Sequence, residues 1–300
     1  MQINMIRSDK VYQEMLELPL EKREGCFRAK ILAPFATKYQ TQHIPLKAKY
    51  PGGFDALFLL GFMNQLPSTL SEKDRPAIDA LSSDQLWQNC QDTIKRSIGL
   101  FEQAGYDLEV EDYHFTILLG NPEKPMLQLN KGYSGDGGIP GYLMLSLLPN
   151  DYTLPRVQAA LAHECNHNVR FQFVKWNQQT TLADWVVSEG LAESFAAELY
   201  GKDLIGPWVT STSPEQLEEI KPIISSQLQL TGMAEMAPYL YGDEIAKIQG
   251  QIPVGMPYAA GYAYGYHLIQ AYLKMTGKTI IEATVTPTEQ ILEATKDFWK

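Results

Sequence analysis

The sequence predicts an α+β protein, mostly helical, with a small sheet next to one helix that carries its chemistry. Three observations lead there. Apolar residues recur at helical spacing through most of the first hundred residues. Runs rich in β-formers cluster between residues 110 and 150. Directly after them comes a helical segment containing His163-Glu164-Cys165-Asn166-His167.

Taken in order, residues 8–35 carry a helical pattern, with Val11, Met15, Leu16 and Leu18 ahead of Pro19. A second helical block falls at 53–64, and 71–81 is rich in caps and charges. Residues 83–105 read as a long amphipathic helix: Leu86, Trp87, Cys90, Ile94, Ile98 and Phe101 share a face, and Gly105 supplies the stop. No chemistry is legible in this region.

The period then changes. Residues 114–119 form a β-rich run closed by Gly120-Asn121-Pro122, and 126–129 read as another short strand. The glycine-rich stretch 131–141 lacks the ending of a phosphate loop and reads as a hairpin or surface loop. Residues 142–148 form a strong strand. Thr153 then caps a helix with Pro155 in its first turn. These changes divide the chain into a helical N-terminal region, 1–105, and a domain holding the motif, 106–300, the two expected to form one integrated globule.

Composition narrows the function. Hydrophobic residues make up 45% and charged residues 20%, ordinary for a globular chain with a substantial core. A net charge of −10 and no basic run argue against nucleic acid, which is held mainly through Lys and Arg. The same acidity gives no reason to expect a membrane surface as partner. No signal peptide is visible, and no apolar run reaches the length of a membrane span. Three widely spaced cysteines, Cys26, Cys90 and Cys165, read as reduced thiols packed as small apolar groups, which implies a cytoplasmic setting.

The motif is H-E-x-x-H. Residues four apart lie on one helix face, so His163 and His167 can grip one metal ion, with Glu164 placed as general base on a metal-bound water. Val157, Leu161, Cys165, Val169 and Phe173 form an apolar stripe, while His163, His167 and Arg170 lie about 200° round the helix. Two histidines cannot hold a catalytic zinc alone, since such sites use three protein ligands and keep one position open. Residues 184–200 form the next helix and Gly201 ends it. Glu189 is the expected third ligand. Glu193, four residues on, is placed to accept a hydrogen bond from the far nitrogen of a ligand histidine. Gly190 and Ala192 are small enough to let this helix approach the motif helix around a metal. Glu198 reads as surface, and His43 and His114 have no partner motif.

His163-Glu164-x-x-His167 with Glu189-x-x-x-Glu193 resembles the gluzincin branch of zinc metallopeptidases, to which thermolysin belongs. More narrowly, 161–170 and 188–193 resemble a bacterial family of predicted zinc-dependent proteases, over roughly residues 110–275. Phe173 stands where metzincins carry a third histidine. The resemblance implies a zincin-like fold, Zn2+ held by His163, His167 and Glu189, Glu164 as base, Glu193 supporting a ligand histidine, and a peptide or protein substrate. It also implies an oxyanion donor after the ligand helix. Tyr262, in Tyr262-x-x-Gly265 at a helix start, is the first candidate, with Tyr258, Tyr266 and His267 as alternatives. The strand 142–148 is expected to border the cleft and pair with extended substrate. The alternative function is a zinc-binding regulatory or interaction protein with little peptidase activity; a third reading is a helical structural protein whose motif is accidental.

Overall fold

The computed structural model describes residues 1–299. Two compact units interleave along the chain. Met1–Lys95 joins Glu109–Leu161 in one; Arg96–Leu108 joins the chain from Ala162 onward in the other.

The first unit is built on a four-stranded mixed sheet. Its strands are β1 (Gln2–Met5), β2 (Asp112–Leu119), β3 (Tyr133–Asp136) and β4 (Tyr142–Leu147), in the order β1-β2-β4-β3. β2 pairs in parallel with β1 and β4, and its Phe115, Ile117, Leu118 and Leu119 are all buried. A near-continuous apolar run is what a strand covered on both faces requires. Helix α1 (Ser8–Glu17) packs on β2, where the Tyr12 hydroxyl accepts the Leu119 N–H at 3.1 Å.

Three local expectations change here. Residues 126–129 are not a strand but the end of a short helix, Pro125–Leu129; proline fits a helix's first turn and has no N–H to give a sheet. The glycine-rich stretch takes the hairpin form of its reading: it supplies β3, antiparallel to β4 in the register Tyr133↔Leu147. β4 is therefore an inner strand with both edges filled, and it cannot take an extended peptide by adding a neighbour. Thr153 stands at the N-cap position as expected, but its side chain makes no capping bond: its hydroxyl donates to the Leu148 carbonyl and accepts the Asn150 N–H, closing the turn before the helix.

The long amphipathic helix is present as α2 (Asp84–Gln103), with Trp87, Cys90, Ile94, Ile98 and Phe101 all buried. Helix α3 (Val157–Phe173) carries the motif and is buried nearly all round. The apolar stripe from Val157 to Val169 is covered as expected, whereas Phe173 is 39% exposed.

In the second unit, α4 (Leu182–Tyr200) starts two residues earlier than expected because Thr181 and Asp184 form a reciprocal capping box. Gly201, at φ 96°, terminates it. Helix α5 (Pro214–Gln227), helix α6 (Ala260–Thr276) and helix α7 (Ile280–Val285) complete the elements that bear on the site. α6 is preceded by Ala259, a left-handed alanine at φ 54° whose N–H is held by the Tyr241 carbonyl.

Buried Arg170 ties α3 to its neighbours. Its guanidinium donates to Ser188 Oγ on α4, to the Thr284 and Thr286 carbonyls and to Thr288 Oγ1, at 2.9–3.1 Å. Asn166 adds a bond to Thr284 Oγ1 at 2.7 Å. These bonds fix the rotation of α3, and with it the direction of its histidines. Among the described residues no helix is long and apolar enough to cross a membrane.

Candidate metal centre

His163 and His167 sit one turn apart on α3, with rings 4.8 Å apart centre to centre. Glu189 reaches them from the second turn of α4. The Nε2 atoms of the two imidazoles lie 3.1 Å apart, and each is 3.2 Å from Glu189 Oε2. All three residues are buried.

That triangle fits zinc. Bonds of about 2.0–2.1 Å in a tetrahedron set ligand atoms about 3.3 Å apart. The three edges here fall within 0.2 Å of that spacing. The donor chemistry agrees. His163 Nδ1 lies 2.8 Å from Glu193 Oε2; a proton shared there leaves Nε2 as the nitrogen that a metal ion would take in place of a proton. Glu164, Glu189 and Glu193 are all buried here against two imidazoles, an excess of negative charge that favours a bound cation.

The electrostatics show the same pull. Burial works against charge on His163, but hydrogen bonds to Glu189 and Glu193 carry its proton affinity well above the usual imidazole value. Burial likewise opposes ionisation of Glu189, and the facing imidazoles overcome it and push its carboxyl down. His167 is held differently from His163. It stacks on Phe171 at 5.7 Å, and its Nδ1 is buried with no hydrogen-bond partner among the described residues.

Glu193 is anchored on both oxygens. Besides His163 it accepts the Gly206 N–H at 2.6 Å on Oε1 and the Trp208 indole N–H at 2.7 Å on Oε2. Trp208 also sets its ring edge-on to His163, 5.8 Å away, and tilted to Tyr262, 6.4 Å away. Sequence reasoning missed both residues. Gly206 precedes and Trp208 lies in a one-turn helix, Pro207–Thr210, beyond α4 that has no helical spacing to the motif, so the only available signal was proximity to Glu193 in the chain.

Tyr262, in the first turn of α6, lies within electrostatic reach of Glu189 and Glu164. Burial, those carboxylates, and the neighbouring phenols of Tyr241 and Tyr258 hold its own phenol well above the usual value, so it stays protonated. Tyr266, one turn on, feels Glu193 instead. His267 turns to another surface, where Lys221 and Glu218 of α5 act on it, and burial lowers its pKa. Glu198 is exposed.

Gly190 on α4 has a different use from the one expected. Gly190 does not meet the motif helix but α6: a Cβ on Gly190 would stand 2.1 Å from the Gly265 carbonyl oxygen. This contact packs the second turn of α6, which follows Tyr262, against the turn of α4 next to Glu189.

Fold and site together define a mostly helical protein with a small mixed sheet and a buried His-His-Glu cluster that can hold a metal ion. The chain belongs to the family described as Predicted Zn-dependent protease (DUF2268), which matches residues 86–293. It is similar to the uncharacterized protein YjfC of Bacillus subtilis (strain 168), 35% identical over 285 residues that span 95% of each chain. It also resembles YjaZ of the same organism, 26% identical over 155 residues, 50% of this chain and 55% of the relative. No solved structure matches it.

Proposed function

We propose that the protein is a zinc-dependent peptidase of the gluzincin type. His163, His167 and Glu189 are its ligands, Glu164 its general base and Tyr262 its oxyanion donor. The observation that carries this reading is the buried Nε2–Nε2–Oε2 triangle with edges of 3.1–3.2 Å, flanked by Glu164 from within the motif. The family description supports zinc dependence and proteolysis.

Held by His163, His167 and Glu189, zinc would lower the pKa of a ligated water toward about 7 and polarise a carbonyl oxygen. The chain's own residues do the rest. Glu193 holds His163 in the tautomer that leaves Nε2 free. Glu164 takes a proton from the attacking water on a carboxylate oxygen and delivers it to the leaving amine nitrogen. Tyr262 keeps its phenol proton and donates it as a hydrogen bond to the developing oxyanion.

The test is Glu164→Gln, assayed for zinc content and for cleavage of a peptide mixture. The variant should keep its zinc and lose roughly 10²–10⁴-fold in turnover. Undiminished hydrolysis would overturn the mechanism. A wild-type protein that binds zinc and cleaves nothing would favour a regulatory zinc protein instead.

A further inference from the structure

We propose that Trp208 is a positioning residue for the metal centre: its indole N–H fixes the Glu193 carboxylate and, through it, the His163 ring. This rests on the zinc reading of the site.

Three donors converge on one buried carboxylate. Gly206 N–H takes Oε1; Trp208 Nε1–H and His163 Nδ1–H share Oε2, at 2.7 and 2.8 Å. With only the histidine bond, the carboxylate could rotate about its terminal torsion, which is broad for glutamate. A donor on each oxygen locks that plane. The second donor on Oε2 holds the atom that His163 needs, so the imidazole is aimed at His167 and Glu189 before any ion arrives. Such outer partners set ring orientation and ligand basicity.

The Trp208 ring makes the role tighter. Its edge-on contact with His163 limits tilt of the imidazole, and the same ring lies tilted against Tyr262. One side chain therefore touches the ligand, the carboxylate that orients the ligand, and the proposed oxyanion donor. Pro207 restrains the turn that presents it, and the Gly206 N–H bond pins the same turn to Glu193.

Trp208→Phe keeps an aromatic ring and removes the donor. Zinc dissociation constants would be measured by competition with a chromophoric chelator for wild type, Trp208→Phe, Glu193→Gln and the double variant. Trp208→Phe should weaken zinc binding by roughly tenfold, toward the lower end of what outer-shell changes cost. In the Glu193→Gln background the same change should cost much less, because the indole acts through that carboxylate. A purely structural tryptophan would give equal losses in both backgrounds, and that result would overturn the proposal. So would zinc affinity unchanged by Trp208→Phe. Wild-type protein with no measurable zinc affinity would instead remove the zinc reading itself, and this proposal with it. If Trp208→Phe also lowers the melting temperature, the cycle still reads the coupling, since it compares zinc affinities of folded protein alone.

Discussion

Gly190 on α4 and Gly265 on α6 meet backbone to backbone, and neither position has room for a methyl group. A Cβ on Gly265 would fall 1.9 Å from the Val186 carbonyl oxygen. Tyr262 lies three residues before Gly265 on α6, so this contact helps set where the proposed oxyanion donor stands relative to Glu189.

Gly265→Ala should therefore destabilise the protein by about 3 kcal/mol, the upper range for overpacking, because the clash is with backbone. That outweighs the roughly 1 kcal/mol gained by alanine over glycine in a helix. Gly99 in α2 is the control. Its added Cβ would meet only Gln103 Nε2, at 3.9 Å, so Gly99→Ala should be neutral or stabilising. Urea unfolding of both variants checks the contrast; equal effects would show that the close approach is unimportant.

Glu193→Gln keeps the shape of the side chain but offers one acceptor oxygen to three donors. Zinc affinity should fall about 10–100-fold while the fold is retained. Competition titration and far-ultraviolet circular dichroism measure the two parts. An unchanged affinity would mean that His163 does not depend on its carboxylate.

Asp55 gives a prediction for pH. Its carboxylate is buried at the start of the short helix Ala56–Leu60 and accepts the Phe58 and Ala48 N–H groups and Arg28 Nη2, at 2.8–3.0 Å. Burial opposes ionisation, but the two backbone donors and then Arg28 outweigh it, and the carboxyl lies below its usual value near 3.8. With the folded pKa depressed, this stabilisation is complete above about pH 4 and is lost as pH falls through the folded value. Asp55→Asn should flatten the acid limb of the stability curve, followed by urea midpoints from pH 6 to 2.5. A limb of equal steepness in wild type and variant would assign the loss to other carboxylates.

Much of the centre was legible because its signals are local. The i, i+4 spacing of His163 and His167 is a property of one helix, and Glu189-x-x-x-Glu193 of the next. The two long helices were readable from period alone. What could not be read depended on tertiary partners. β1 is four residues long, too short for the alternation of Gln2, Ile3, Asn4 and Met5 to mark a strand, and it pairs with β2 across more than a hundred residues of chain. β3 lies in a glycine-rich stretch and becomes a strand only because β4 offers an edge. The use of Gly190 was misassigned because spacing shows that a helix can be approached, not by which neighbour. Trp208 was invisible for the same reason.

The most direct test of the account is the metal content of the purified protein, measured by inductively coupled plasma mass spectrometry for wild type and His167→Ala prepared in parallel. Close to one zinc per wild-type chain, with little or none in the variant, is the expected result. Wild type without stoichiometric zinc, or a variant that retains as much as wild type, would contradict it.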